Sequence, residues 1–168
     1  MQDKFIGMRI ICPPDPLNSR IFVDASTGWG IGLILDGKWL AWQFKDGWKS
    51  EGCEIGWAEM MAVELAIWTL ITGRFIKCHV IVCSDNKGVV GTLGAGRSQG
   101  TQQHMILHEI VKLIQDHNLW IPTSGNLADS PLRGVFPGKD SLHAFPPKLP
   151  FHLTKFVYKS VGYHDPRL

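Results

Sequence analysis

Ile21-Phe22-Val23-Asp24-Ala25-Ser26-Thr27 sets one carboxylate into an otherwise apolar and small-residue run, and the chain continues through Gly28, Trp29 and Gly30 into Ile31-Gly32-Leu33-Ile34-Leu35. The first run reads as a buried strand, the glycines as a tight turn, and the second run as the partner strand of a hairpin. A carboxylate in such a strand is costly unless a cation, a hydrogen-bond cage or a raised pKa neutralises it. What Asp24 faces therefore decides the reading of the chain.

The 168 residues are enough for one domain plus tails, and 45% hydrophobic with 19% charged residues is a globular composition. A net charge of +2 proves no polyanionic partner and is compatible with one if the cations cluster. The four cysteines, Cys12, Cys53, Cys78 and Cys83, form no CxxC pair, and Cys78 and Cys83 flank or occupy an apolar strand, where reduced, buried thiols are expected. No secretory leader is evident, which favours an intracellular protein, cytoplasm or nucleus undecided. No apolar run reaches the roughly 18–20 residues of a membrane span, so a soluble chain without a membrane partner is expected, monomeric as an isolated domain.

Residues 1–20, with Pro13, Pro14 and Pro16, read as a lead-in, with one added strand at most, over Met8 to Cys12. Asp36-Gly37 is a strong two-residue hairpin signal, so Lys38 to Phe44 becomes a third antiparallel strand. Ile55 to Ile71 holds good helix formers and no proline, and is apolar on most sides. It should be a central, buried helix closed by Gly73. Cys78 to Cys83 reads as a strand buried on both faces and therefore central or parallel, ending in Ser84-Asp85-Asn86. A short helix follows over Asn86 to Leu93. A longer one is capped by Ser98 or Thr101, with an apolar stripe of Met105, Ile106, Ile110, Val111, Leu113 and Ile114. Leu119-Trp120-Ile121 predicts a brief fifth strand, Thr123 to Asn126 a turn, and Leu127 to Arg133 a helical turn. Residues 135–168 form a Pro- and aromatic-rich extension, and residues 21–134 the domain proper. The order predicts a mixed α/β sheet with helices on its faces.

Four acids recur at informative places: Asp24 in the first strand, Glu59 early in the central helix, Asp85 at the end of the fourth strand, and Asp129 in the last helical turn. Glu64 lies on the same helix about 140° round from Glu59, and periodicity alone does not choose between them. Clustered carboxylates suit hard divalent cations, and a pair of such ions performs in-line phosphodiester hydrolysis.

Phe22-Val23-Asp24-Ala25-Ser26, Trp57-Ala58-Glu59-Met60-Met61-Ala62, Ser84-Asp85-Asn86 with Val89-Val90, and Asn126 to Arg133 stand in an order that resembles the ribonuclease H domains of retroelement reverse transcriptases. Pro122 to Arg133 is similar to the ending of such domains in LTR retrotransposons. Ser84-Asp85-Asn86 followed by Gly96-Arg97-Ser98 is similar to the versions found with tyrosine-recombinase retrotransposons. The resemblance covers about residues 21–133. It implies the ribonuclease H-like fold, a five-stranded mixed sheet whose strands one to three are antiparallel. It also implies endonucleolytic cleavage of RNA in RNA–DNA hybrids with two magnesium ions, for which manganese substitutes, beside an adjoining reverse transcriptase domain. Asp24, Glu59, Asp85 and Asp129 match the catalytic and metal-binding acids, and Ser26 and Asn86 become candidate substrate contacts to the RNA strand and its 2′-hydroxyls.

Departures from that family are a short fifth strand, no histidine between Trp120 and Gly125, and a Gly94–Ser98 connection too short for a basic protrusion. They keep two alternatives open: a catalytically impaired nucleic-acid-binding module, and a DNA nuclease or strand-transfer enzyme on the same acids. Other signals are weaker. His104 and His108 stand four apart without the HExxH order, Gly91, Gly94 and Gly96 make no nucleotide loop, and the tryptophans suit core packing better than base stacking.

Overall fold

The computed structural model describes residues 16–75, 77–98, 100–119, 121, 123–125, 139–144 and 146–161. The predicted strand at Met8 to Cys12 and the helical turn at Leu127 to Arg133 lie outside the described residues.

Strands β1 (Pro16–Ser26), β2 (Gly30–Leu35) and β3 (Lys38–Gln43) form the expected antiparallel meander. Asp36 and Gly37 both adopt positive φ, 50° and 73°, the turn geometry whose twist matches that of the flanking strands. Gly30 is required by close approach: a Cβ there would collide with the Trp42 carbonyl on the neighbouring strand. β4 (His79–Ser84) pairs with the other edge of β1 in parallel, as its unbroken apolar run predicts. β5 (Thr123–Gly125) pairs in parallel with β4, and the full order is β3-β2-β1-β4-β5.

Helix α1 (Ile55–Thr72) makes the crossover from β3 to β4 and packs on β1 and β2. Its 18 residues are long and apolar enough to cross a membrane by length and composition, which corrects the expectation that no such stretch exists. Thirteen of them are buried here, so α1 is the core helix of the fold. Helices α2 (Lys87–Ala95) and α3 (Thr101–Asp116) follow, α3 lying against α1. Trp39, Trp42, Trp48 and Trp57 are all buried, and Phe44, Trp48, Trp57 and Phe156 form a continuous run of ring contacts with centroid distances of 4.1, 6.2 and 4.4 Å. Cys53 and Cys83 are buried cysteines outside any disulfide, and Cys78 is half-buried.

Several sequence expectations need correction. The fifth strand is Thr123–Gly125, the stretch read as a turn, whereas Leu119 and Ile121 are in no strand. The reason is local. Asn118 turns left-handed (φ 50°), its N–H bonds to the Gln115 carbonyl, and the Leu119 N–H reaches back to Ile114 at 2.9 Å. Leu119 is thus the closing residue of α3, its side chain buried, and the chain becomes free to pair only beyond it. On α3 the buried face is Ile106, Leu107, Ile110 and Leu113, while Met105 and Val111 are exposed. Neither Ser98 nor Thr101 caps α3 by its side chain. Gly100 takes the cap position, and Ser98 Oγ donates to Gln103 Oε1 at 2.8 Å.

α1 ends with the same device as α3, but the left-handed position falls on Arg74 (φ 62°), not Gly73, and the Phe75 N–H bonds to Leu70 at 2.9 Å. A side chain with a Cβ is strained there. Arg74→Gly is expected to stabilise the fold by about 1 kcal/mol, read as a Tm rise of roughly 2–4 °C in thermal unfolding.

Residues 139–144 and 146–161 run along the outer edge of β3. The N–H groups of His143, Tyr158 and Val161 donate to the carbonyls of Trp39, Gln43 and Ala41, and the Lys45 N–H donates to Phe156. Leu153, Phe156 and Val157 are buried in the common core. An exposed sheet edge is thereby covered.

Candidate metal centre

Three carboxylates converge where the carboxyl ends of β1 and β4 meet the first turns of α1. Asp24 sits on β1 between the buried Val23 and Ala25, Glu59 is the fifth residue of α1, and Asp85 follows directly on β4. One oxygen from each lies within 4.8 Å of the other two. Burial grades from Glu59, 4% exposed, through the half-buried Asp24 to the exposed Asp85, so the cluster opens to solvent on one side.

Elements fix these positions for local reasons. Asn86 Oδ1 accepts from the N–H groups of Gly88 and Val89 (3.0 and 3.2 Å), capping α2, and the Asn86 N–H donates to Ser84 Oγ. The two neighbours of Asp85 are thereby tied down while its own side chain stays at the surface. The helix cap is Asn86, and Asp85 is left for other work. Asn86→Ala is expected to cost about 1 kcal/mol of stability, measured by denaturant unfolding.

Glu59 carries the strongest electrostatic signature. Its pKa is raised from 4.5 to about 8 by burial first, then by the charges of Asp24 and Asp85, against a smaller lowering effect of the Ala25 backbone amide that donates to it. Its Oε2 is buried and has no partner. Among the described residues no lysine or arginine pairs with Asp24, Glu59 or Asp85. Three hard oxygen donors, one of them orphaned and buried, fit a divalent cation.

Of the residues expected at this site, Asp24, Glu59 and Asp85 are brought together, and Asp129 lies outside the described residues. Ser26 is exposed at the end of β1, close in sequence to Asp24. Asn86 has its carbonyl oxygen committed to the helix cap. Glu64 is turned away from the cluster. It is fully buried, accepts from His152 Nε2 at 2.7 Å and from Trp68 Nε1 at 3.3 Å, and so belongs to another part of the molecule. Sequence reasoning missed that pair; the available signal was that a second glutamate inside an apolar helix needs a cationic partner from somewhere. Lys45 is committed as well: its Nζ donates to the Thr154 carbonyl at 2.7 Å and lies 5.4 Å from the Tyr158 ring.

A sheet of order β3-β2-β1-β4-β5, antiparallel across its first three strands and parallel beyond, with helical crossovers between β3, β4 and β5, defines a ribonuclease H-like α/β fold. Its acidic cluster could hold a metal ion. No family model and no curated protein matches the sequence. Among solved structures, RNase H1 from the halophilic archaeon Halobacterium salinarum NRC-1 is similar, with a TM-score of 0.43 and 15% identity, over 61% of this chain and 81% of that one.

Proposed function

We propose that this protein is a metal-dependent endonuclease that hydrolyses the RNA strand of RNA–DNA hybrids, with Asp24, Glu59 and Asp85 holding the metal and Asp129 completing the set. The observation that carries this reading is the meeting of three carboxylate oxygens from distant chain segments within 4.8 Å, with no lysine or arginine among the described residues paired with them. Structural carboxylates normally acquire a partner. A cluster left without one is built for cations and the phosphates they bind.

Divalent cations bound there would supply an activated water and stabilise the leaving oxygen of a phosphodiester. The chain's own contribution is placement. β1 and β4 lie side by side in one sheet and fix Asp24 and Asp85 relative to each other, and α1 brings Glu59 up from the buried side. Exposed Asp85 faces the approach of substrate, and Ser26 and Asn86 flank the same end of the sheet. Hybrid as substrate, magnesium in two copies, and a reverse transcriptase neighbour are supported by the motif order described above.

The test is a labelled RNA–DNA hybrid incubated with Mg2+ or Mn2+, beside matched single- and double-stranded DNA. Cleavage confined to the RNA strand, leaving 3′-hydroxyl ends and abolished by EDTA, is expected. Intact hybrid in the presence of folded protein and metal would sink the proposal. Preferential cutting of DNA would keep the site and replace the substrate.

A further inference from the structure

Glu64 is the buried carboxylate that the metal centre does not use. It is 0% exposed, its Oε2 has no partner, and the cation on its Oε1 comes from the far end of the chain: His152, in the single 3-10 turn Phe151–Leu153, with Nε2 at 2.7 Å. The His152 side chain is 42% exposed. Water can therefore take the proton from His152 but cannot reach Glu64 while the turn is in place. Next to it, Leu153 is fully buried and acts as a plug. On the other side, Thr154 and Phe156 are held through their carbonyls by Lys45, and the Phe156 ring meets Trp57 edge-on. This segment and α3 form the two walls of an apolar cleft of about 690 Å³, whose lining includes Trp57, Met105, Ile106 and Leu153.

We propose that residues 150–158 are a pH-governed clasp, seated on α1 while His152 is protonated and loosened, widening the cleft, once it is not. A buried carboxylate is tolerated when a cation meets it and is strongly unfavourable when that cation is lost. The groups facing His152 from the packed elements are Glu64 on α1 and Glu109 on α3, both favouring its charged form. His104 and His108 on α3 and Lys155 on the segment line the same cleft, Lys155 lying 4.6 Å from the Phe156 ring centre. The bond to Glu64 raises the pKa of His152 above its ordinary 6.5, more than burial lowers it. A raised folded-state pKa means that the clasp contributes fully below 6.5 and is lost as pH rises through the elevated value.

Amide hydrogen exchange, corrected for intrinsic rate, reads this directly at Val157 and Tyr158, whose N–H groups bond to Leu153 and Gln43. Their protection is expected to fall at least about tenfold from pH 6 to pH 9, while that of β2 amides falls less. In His152→Lys, which stays charged across the range, protection should fall no further than that of the β2 amides. In Glu64→Gln, which needs no cation, it should likewise follow the β2 amides. Glu59 titrates alike in wild type and His152→Lys, so changes arising at the metal centre cancel in that comparison. Protection independent of pH in the wild type, or an unchanged fall in His152→Lys, would overturn the clasp whatever the outcome of the nuclease assay.

Discussion

Asp24→Asn is expected to lower metal-dependent hydrolysis of the hybrid by about 1,000-fold or more, a barrier change of roughly 4 kcal/mol. The substitution keeps shape and volume and removes one of three charges whose oxygens stand within 4.8 Å. A neutral amide oxygen is a far weaker ligand for a hard cation. Stability should move the other way, because the like charge that Asp24 presents to Glu59 disappears. A variant that melts no lower than wild type without metal, yet has lost cleavage and metal-induced stabilisation together, carries the mechanism. A rate within tenfold of wild type would show that Asp24 is not a ligand in the reacting complex.

The second large effect is on stability against pH, and its origin is Glu59. A pKa raised to about 8 means that the folded state holds this proton more tightly than the unfolded chain, whose value is near 4.5. The contribution is complete below 4.5 and is lost as pH rises through about 8. For a group 4% exposed, a shift of that size corresponds to an order of 5 kcal/mol. In metal-free buffer, Glu59→Gln should therefore gain several kcal/mol over wild type between pH 5 and pH 9, measured as the difference between denaturant midpoints. Mg2+ should close that gap, because a bound cation stabilises the ionised carboxylate. A wild-type-to-variant difference that is flat with pH would show that Glu59 does not hold its proton in the folded protein.

The antiparallel meander and the parallel fourth strand were legible because they depend on short-range rules, and the acid cluster because its motifs stand in a familiar order. Asp36-Gly37 fixes one hairpin, the apolar run ending at Ser84 fixes the parallel strand, and an aspartate within Ile21–Thr27 announces a site. Only the motif and its place early in the helix pointed to Glu59 over Glu64, since both sit on a helix buried all round and periodicity offers no solvent side. Tertiary geometry decides it: one glutamate faces two other acids, the other a histidine. The fifth strand was misplaced because Leu119 has strand propensity but closes α3. Propensity cannot report a backbone bond from Leu119 to Ile114. Met105 fits the apolar stripe of α3 by spacing, yet it is 60% exposed beside the C-terminal segment.

The run of aromatic rings through Phe44, Trp48 and Trp57 receives its last member, Phe156, from the far end of the chain. During synthesis the residues through Phe156 must therefore leave the ribosome before Trp57 finds this neighbour and the outer strand its cover. Until then a nascent chain carries a naked strand and an unfinished aromatic surface, a natural target for chaperones. Stop codons placed upstream of Lys155 should yield aggregates in place of a smaller, less stable fold.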